Sequence, residues 1–359
     1  MHTHKKIHYF WLYFASTGLD MKKKILYIVI IVIALLAALG IYGYSILSTG
    51  FNIDKTVYIY VDQSKNYDRL LKEVEDSARV ESLSSFKLLA SALGYEDNLK
   101  TGRYAVTPDM KAIDLIRNLR SGHQAPLKLR FNNIRTKEDL AERISEQLLI
   151  SKESLLSALD DKDKCEGLGF TPETVVAMFI PNTYESYWDV SLDSFLKRMQ
   201  KEYKTFWTDQ RKNKAKEIGL TEIEVSTLAS IVEEECTYTD EYPMVAGLYI
   251  NRLRLGQALQ ADPTVKFAVG DFSLRRILNK HLEVDSPYNT YKHTGLPPGP
   301  IRIPSIKGID SVLNFSEHEY LYMCAKEDFS GYHNFAKTFA EHQLNATKYR
   351  KALTERGIF

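Results

Sequence analysis

Three consecutive glutamates, Glu233, Glu234 and Glu235, close the apolar stretch "LASIVEEECTY". A carboxyl group set among apolar side chains is costly to ionise, so its pKa rises, and a raised pKa suits a general acid near neutral pH. The surrounding "TEIEVSTLASIVEEECTY" predicts a helix, with Thr221 as N-cap and Glu224 as its capping-box partner. At about 100° per residue, Val225, Leu228, Ala229, Ile231, Val232 and Cys236 gather on one apolar face. Glu234 projects opposite that face and is expected in solvent, and Glu233 lies at its edge. Glu235 falls inside it, one turn beyond Ile231 and Val232. Among the three, the helical face therefore singles out Glu235; the plainer alternative, that Glu235 closes the helix end paired with an arginine such as Arg252, stays open on periodicity alone.

The elements that must position such an acid follow directly. "YPMVAGLYINRLRLGQALQADPTVKFAVG" reads as a helix from about Pro243 that stops at Gly256, a short extended piece, and a helix capped by Asp262 with Pro263 at its first position. Asp262 is thus expected as a cap rather than a second catalytic acid. The segment "SPYNTYKHTGLPPGPIRIPS", residues 286–305, holds five prolines, two glycines and two tyrosines. An irregular segment of that length suits a ligand cleft. "YLYMCAKEDFSGYHNFAKT" reads as strand-like and Gly-turned, followed by an amphipathic helix over "FAEHQLNATKYRKAL".

Upstream, "DKTVYIYVD" alternates as a half-buried strand does. Two helical segments, a turn, a strand, a helix of about ten residues and the strand "LKLRF" then complete a small module. "TKEDLAERISEQL" and "SKESLLSAL" are helical, with starts at Thr136 and Ser151. "SLDSFLKRMQKEYKTFWTDQRKNKAKEIG" reads as one long amphipathic connecting helix, and a domain boundary is expected near 205–215.

Residues 25–47, "ILYIVIIVIALLAALGIYGYSIL", form an uncharged apolar run of the length a bilayer-spanning helix needs, about 20 residues. No A-x-A-like cleavage site follows it, so it reads as a retained anchor. Lys22, Lys23 and Lys24 just before it place the N-terminus in the cytoplasm and the chain after about residue 48 outside. Met21 is an alternative start, which would make residues 1–20 an upstream misassignment. Composition adds exclusions: 47 basic and 46 acidic side chains give a net charge of +1, and no overall field attracts nucleic acid. The three cysteines, Cys165, Cys236 and Cys324, have neither zinc-site nor disulfide-framework spacing and are read as unpaired. There is no P-loop, G-x-G-x-x-G, H-E-x-x-H or G-x-S-x-G, and the nine histidines, His293 and His333 among them, are scattered.

Several linked blocks carry a resemblance. "LASIVEEECTYTDEYPMVAGLYINRLRLGQALQADPTVKFAVG", "YNTYKHTGLPPGPI", "GYHNFAKT" and the earlier "FIPNTY" closely resemble, in the same order, the signature blocks of the YceG-like family, the endolytic murein transglycosylases (MltG). The match is strong over about residues 180–350, and "TGRYAVTPDMKAIDLIRNLRSG" is similar to that family's LysM-like subdomain. The resemblance implies cleavage of peptidoglycan glycan strands between N-acetylmuramic acid and N-acetylglucosamine, leaving a 1,6-anhydro end. It implies work near glycan-polymerising synthases, releasing or terminating nascent strands, and no metal or organic cofactor.

In the family's Val-Glu-x-Glu block the second glutamate is catalytic, and that position is Glu235, the residue the helical face selects. Cys236 departs from the hydroxyl residue usual at the next position, which would lower activity if that hydroxyl assists the glutamate. One carboxyl can suffice because the substrate's own C6 hydroxyl attacks C1, so Glu235 protonates the leaving oxygen and then accepts the hydroxyl proton. Tyr288, Asn289 and Tyr291 are expected to bind sugar or stabilise the transition state. Asn251, Arg252, Gln260, Asp262 and His333 are expected to shape the cleft, with Glu233 as reserve.

The resulting expectation is an α+β protein. It has a cytoplasmic tail over 1–24, a transmembrane helix over 25–47 and a LysM-like subdomain over 48–135. A helical connecting region over 136–210 leads to a lysozyme-like, mainly helical catalytic domain over 211–359. Two rival expectations are a non-catalytic peptidoglycan-binding scaffold, and a hydrolase that uses Glu235 with Asp262.

Overall fold

A computed structural model describes residues 21–274 and 276–357; of the expected tail over 1–24, residues 1–20 lie outside them. Two compact units divide between Ala125 and Pro126. Helices dominate both, with three two-stranded antiparallel sheets among the described residues.

The first unit begins with helix α1 (Met21–Leu47), 27 residues long and apolar enough to cross a membrane. At 1.5 Å per residue it extends about 40 Å, more than the ~30 Å of a hydrocarbon core. Strand β1 (Val57–Val61), helices α2 (Tyr67–Asp76) and α3 (Leu83–Ala92), strand β2 (Gly102–Val106) and helix α4 (Ala112–Ser121) follow. β1 and β2 pair from Val57 opposite Val106 to Val61 opposite Gly102. Ile59, Phe86, Tyr104, Leu115 and Ile116 form their core. Strand β3 (Leu127–Arg130), expected to complete this module, pairs instead with a strand far along the chain, β4 (Thr183–Ser186). Leu129 there faces Tyr184, and Phe131 stacks on the same ring at 5.7 Å. An alternating strand goes where an apolar surface receives its inner face, so this module ends at Ala125 and not at residue 135.

The second unit runs through β3, α5 (Lys137–Ser145), α6 (Lys152–Asp160), α7 (Lys162–Leu168), β4, α8 (Leu192–Phe206) and α9 (Asp209–Ile218). It continues with α10 (Glu222–Glu235), α11 (Tyr242–Arg254), α12 (Asp262–Val269), α13 (Asn279–Leu282), α14 (Ile306–Leu313), β5 (Tyr322–Ala325), β6 (His333–Ala336) and α15 (Phe339–Glu355). The expected boundary near residue 210 does not divide it, because one hydrophobic core runs from Leu129 to Leu313. The single long connecting helix expected there is two helices, α8 and α9. Thr208 separates them: its hydroxyl accepts the Arg211 N–H as an N-cap, and Trp207 beside it is buried. Arg211 then binds both carboxylate oxygens of Asp310, tying α9 to α14.

Helix α10 is the axis of this unit. All residues from Val225 to Val232 are buried, so it is enclosed on every side and not amphipathic as its sequence pattern suggests. Its polar residues permit this because they bond to the helix itself. Ser226 donates to the Glu222 carbonyl at 3.0 Å, Thr227 to Ile223 at 2.9 Å and Ser230 to Thr227 at 2.7 Å. Its start is the expected capping box of Thr221 and Glu224.

Helix α11 reaches close to the chain at Ser316 through Gly247. A Cβ at that position would sit 2.3 Å from the Ser316 carbonyl oxygen. Alanine gains about 1 kcal/mol over glycine in a helix, yet overpacking against backbone costs about 1–3 kcal/mol and usually more than cancels that gain. Gly247→Ala is therefore expected to lower the denaturant midpoint in a urea titration; an unchanged or higher midpoint would show that the Ser316 segment yields freely.

Candidate active site

The last turn of α10 sends its three glutamates in three directions. Glu233 is buried and accepts from the Ser305 N–H at 2.9 Å and from the Ser305 hydroxyl, with Arg302 Nε at 3.6 Å. It secures the start of α14 and does not line the cleft, where it was expected as a reserve. Glu234, expected in solvent, is paired with Arg135 at 2.8 Å and Arg302 at 2.7 Å. Only Glu235 opens onto a cleft of about 280 Å³.

Five chain segments build that cleft. α10 supplies Glu235, α11 supplies Leu248, Tyr249 and Arg252, and the approach to α12 supplies Leu259, Gln260 and Asp262. The proline-rich loop contributes Tyr291, and the β5/β6 hairpin contributes Met323, Cys324, Ala325 and His333. A larger cavity of about 490 Å³ opens beside Tyr184, Tyr187 and Arg198. Its one carboxylate, Glu185, is exposed, so nothing there prepares an acid, and the smaller cleft is the candidate site.

Burial pushes the Glu235 carboxyl up to about 7, and the negative charges of Asp262 and Glu234 add to the rise. Opposing them, the Tyr249 hydroxyl donates to Glu235 Oε1 at 2.9 Å and favours the ionised form. Arg252 is no counter-ion here. Its Nε donates to the Leu321 carbonyl at 2.6 Å and its terminal nitrogen to the Ala258, Leu259 and Gln260 oxygens at 2.9–3.2 Å. The arginine thus joins the hairpin to the 258–260 segment.

Asp262 does not cap α12. Ala261 is the N-cap residue, and the Asp262 carboxylate accepts from the Tyr291 hydroxyl at 2.7 Å in the cleft wall. Thr290 holds the loop against α12 by accepting from the Ala261 N–H at 3.0 Å and exchanging a bond with Thr264 at 2.8 Å. Gln260 adopts a left-handed φ of 52° while its N–H reaches the Thr290 carbonyl.

The expected site residues therefore separate. Glu235, Arg252, Gln260, Asp262, Tyr291 and His333 meet at the cleft; Glu233, Asn251, Tyr288 and Asn289 do not line it. Asn251 donates to the His318 and Tyr320 carbonyls at 2.7 and 3.2 Å. Asn289 is fully buried and donates to the Leu282 and Val284 carbonyls at 2.8 and 2.9 Å, shaping the loop. Tyr288 packs on Phe267, ring centres 4.8 Å apart. Tyr249 is the residue that sequence reasoning missed. In "MVAGLYI" a tyrosine reads as core, and its one signal was a polar tip in an otherwise apolar run. The thiol of Cys236, at the C-cap of α10, is buried, and burial pushes its pKa up.

The family model of the YceG-like family matches residues 59–348. The chain belongs to the YceG-like family. A Bacillus subtilis protein named endolytic murein transglycosylase is 29% identical over 337 residues, 88% of this chain and 91% of that one. A Streptococcus pneumoniae protein of the same name is 27% identical over 365 residues, 89% of this chain and 64% of its own length. A crystal structure of a YceG-like protein from Listeria monocytogenes aligns with a TM-score of 0.53 at 28% identity, over 81% of this chain and 99% of that one. These matches extend well beyond the glutamate block, so this YceG-like chain shares with its relatives the segments that form the cleft.

The Glu235 environment sets a pH dependence. A carboxyl whose folded value, about 7, exceeds its ordinary 4.5 contributes stability below pH 4.5 that is lost as pH rises through 7. Glu235→Gln, which cannot ionise, is expected to gain stability relative to the unsubstituted protein over that window, by on the order of 2–3 kcal/mol. Chemical denaturation at pH 4.5 and pH 8 checks it, and a pH-independent difference would contradict the raised value. Tyr249→Phe removes the bond that favours ionisation, so the Glu235 titration followed by carboxyl NMR should move upward; no movement would show that the hydroxyl does not tune the acid.

Proposed function

We propose that this protein is an endolytic peptidoglycan lytic transglycosylase that cleaves the bond between N-acetylmuramic acid and N-acetylglucosamine in glycan strands, leaving 1,6-anhydro-muramic acid ends. The observation that carries the reading is Glu235: a carboxyl raised to about 7 and open to a cleft, in a chain whose full-length relatives are named endolytic murein transglycosylases. Near neutral pH much of it is protonated and able to donate to the leaving glycosidic oxygen. The C6 hydroxyl of the muramyl sugar closes on C1 as that bond breaks. Because the attacking group belongs to the same ring, proximity supplies much of the acceleration. Its proton needs an acceptor, a role the ionised Glu235 can take. Asp262 and Tyr291, bonded to each other in the cleft wall, are suited to binding sugar and to stabilising positive charge developing at C1.

The same reading assigns the first unit as a LysM-like glycan-binding module and the second as a lysozyme-like catalytic body. Helix α1 with Lys22, Lys23 and Lys24 at its start supports a single-pass anchor, N-terminus in the cytoplasm and the rest of the chain outside. An enzyme held there would work beside glycan-polymerising synthases and release or terminate nascent strands.

The test is to incubate the full chain in detergent with purified peptidoglycan, beside Glu235→Gln and Glu233→Gln, and to identify products by mass spectrometry. Anhydro-muramyl ends that fall by at least ~100-fold with Glu235→Gln, the scale of a lost general acid, and persist with Glu233→Gln are expected. Reducing ends in their place would indicate a hydrolase drawing on Asp262, and glycan binding without turnover would indicate a scaffold.

A further inference from the structure

A buried carboxylate that the scheme above does not use stands behind the cleft. Glu241 is 6% exposed and occupies the N-cap position of α11, yet its side chain makes no cap bond to that helix. Both its oxygens instead engage one residue. Oε1 accepts the His333 backbone N–H at 2.8 Å, and Oε2 meets His333 Nδ1 at 2.7 Å. Burying a carboxylate is costly unless its partners repay the lost water, and here the partners amount to the pinning of a single imidazole from both backbone and ring. His333 also lines the cleft that holds Glu235.

The tautomer follows from the partner. With Nδ1 carrying the proton donated to Glu241, the neutral ring keeps a lone pair on Nε2. Glu235 has less freedom, because Tyr249 already holds one of its oxygens. A glutamate with one oxygen committed would have to serve both the leaving oxygen and the attacking hydroxyl with the other. A second acceptor on a separate element, β6, removes that conflict.

We propose that His333 Nε2 accepts the C6-hydroxyl proton and that Glu241 is the positioning residue that aims it. The inference rests on the transglycosylase reading and divides the two proton transfers between two residues. Glu235 gives its proton to the glycosidic oxygen as the C1–O4 bond breaks; O6 forms its bond to C1 and its proton passes to His333 Nε2. The imidazolium so formed faces a carboxylate at 2.7 Å. Net, one proton has moved from Glu235 to His333, and exchange with water returns both groups to their starting states.

The experiment uses the full chain in detergent with purified peptidoglycan, measuring anhydro-end formation for the unsubstituted protein, His333→Ala, His333→Gln and Glu241→Gln. His333→Ala should lower kcat by roughly 100-fold or more with KM little changed, and added imidazole should restore part of the rate. Glu241→Gln should lower kcat by a smaller factor, again with KM little changed, because the imidazole is present but less well aimed. His333→Gln keeps a polar side chain of similar reach and guards against a folding defect in the alanine variant. A kcat within threefold of the unsubstituted protein in both His333 variants, a loss confined to KM, or a loss that imidazole leaves untouched would overturn the proposal. Absence of anhydro ends from the unsubstituted protein would sink the transglycosylase reading, and this inference with it.

Discussion

Enclosing helix α10 is the constraint from which the rest of the second unit follows. Eight consecutive buried residues, Val225 to Val232, leave no face in water, and a carboxyl at the end of such a helix can neither be solvated freely nor be left without a partner. Around it α11, α14 and the proline-rich loop close the core, and the Ser230 hydroxyl that donates inside α10 also accepts the Ile301 N–H of the loop at 3.0 Å. The acid site is thus a by-product of packing: wherever this helix stops, its last turn carries its charges from core to surface.

The three glutamates of that turn resolve the difficulty in different ways. Glu234 is paired with both Arg135 and Arg302, and Glu233 is bonded to Ser305 at the start of α14. These bonds fix the loop and helix that bear their partners. Glu235 receives a single neutral donor, Tyr249, which is too little to offset the desolvation of a carboxylate, and its pKa rises. Identical side chains at adjacent positions are separated into two structural partners and one acid with a raised pKa by the number and charge of their neighbours.

The cleft walls are held by polar groups whose bonds run to the backbone. Arg252 binds carbonyls on both sides of the cleft, Asn289 organises the loop behind Tyr291, and Asn251 receives the chain entering the hairpin. Each is a residue type suited to binding a ligand, yet its hydrogen bonds serve shape. The hairpin in turn brings Cys324, Ala325 and His333 to the cleft, with Gly331 at a left-handed φ of 88° allowing the turn.

Local signals were legible in the sequence because local physics sets them. The capping box at Thr221, the stop at Gly256, the apolar run of α1 and the position of Glu235 one turn beyond Ile231 and Val232 depend on neighbours within a few residues. Glu235, Arg252, Gln260, Asp262, Tyr291 and His333, all candidates from the sequence, line one cleft. What the sequence could not specify is which distant surface receives each side chain. β3 pairs with β4 across more than fifty residues, Arg135 reaches Glu234 across ninety-nine, and Tyr249 meets Glu235 only because two helices pack together there. Periodicity fixes the direction a residue takes from its own helix; the partner waiting in that direction, and with it the raised pKa of Glu235, is decided by tertiary packing.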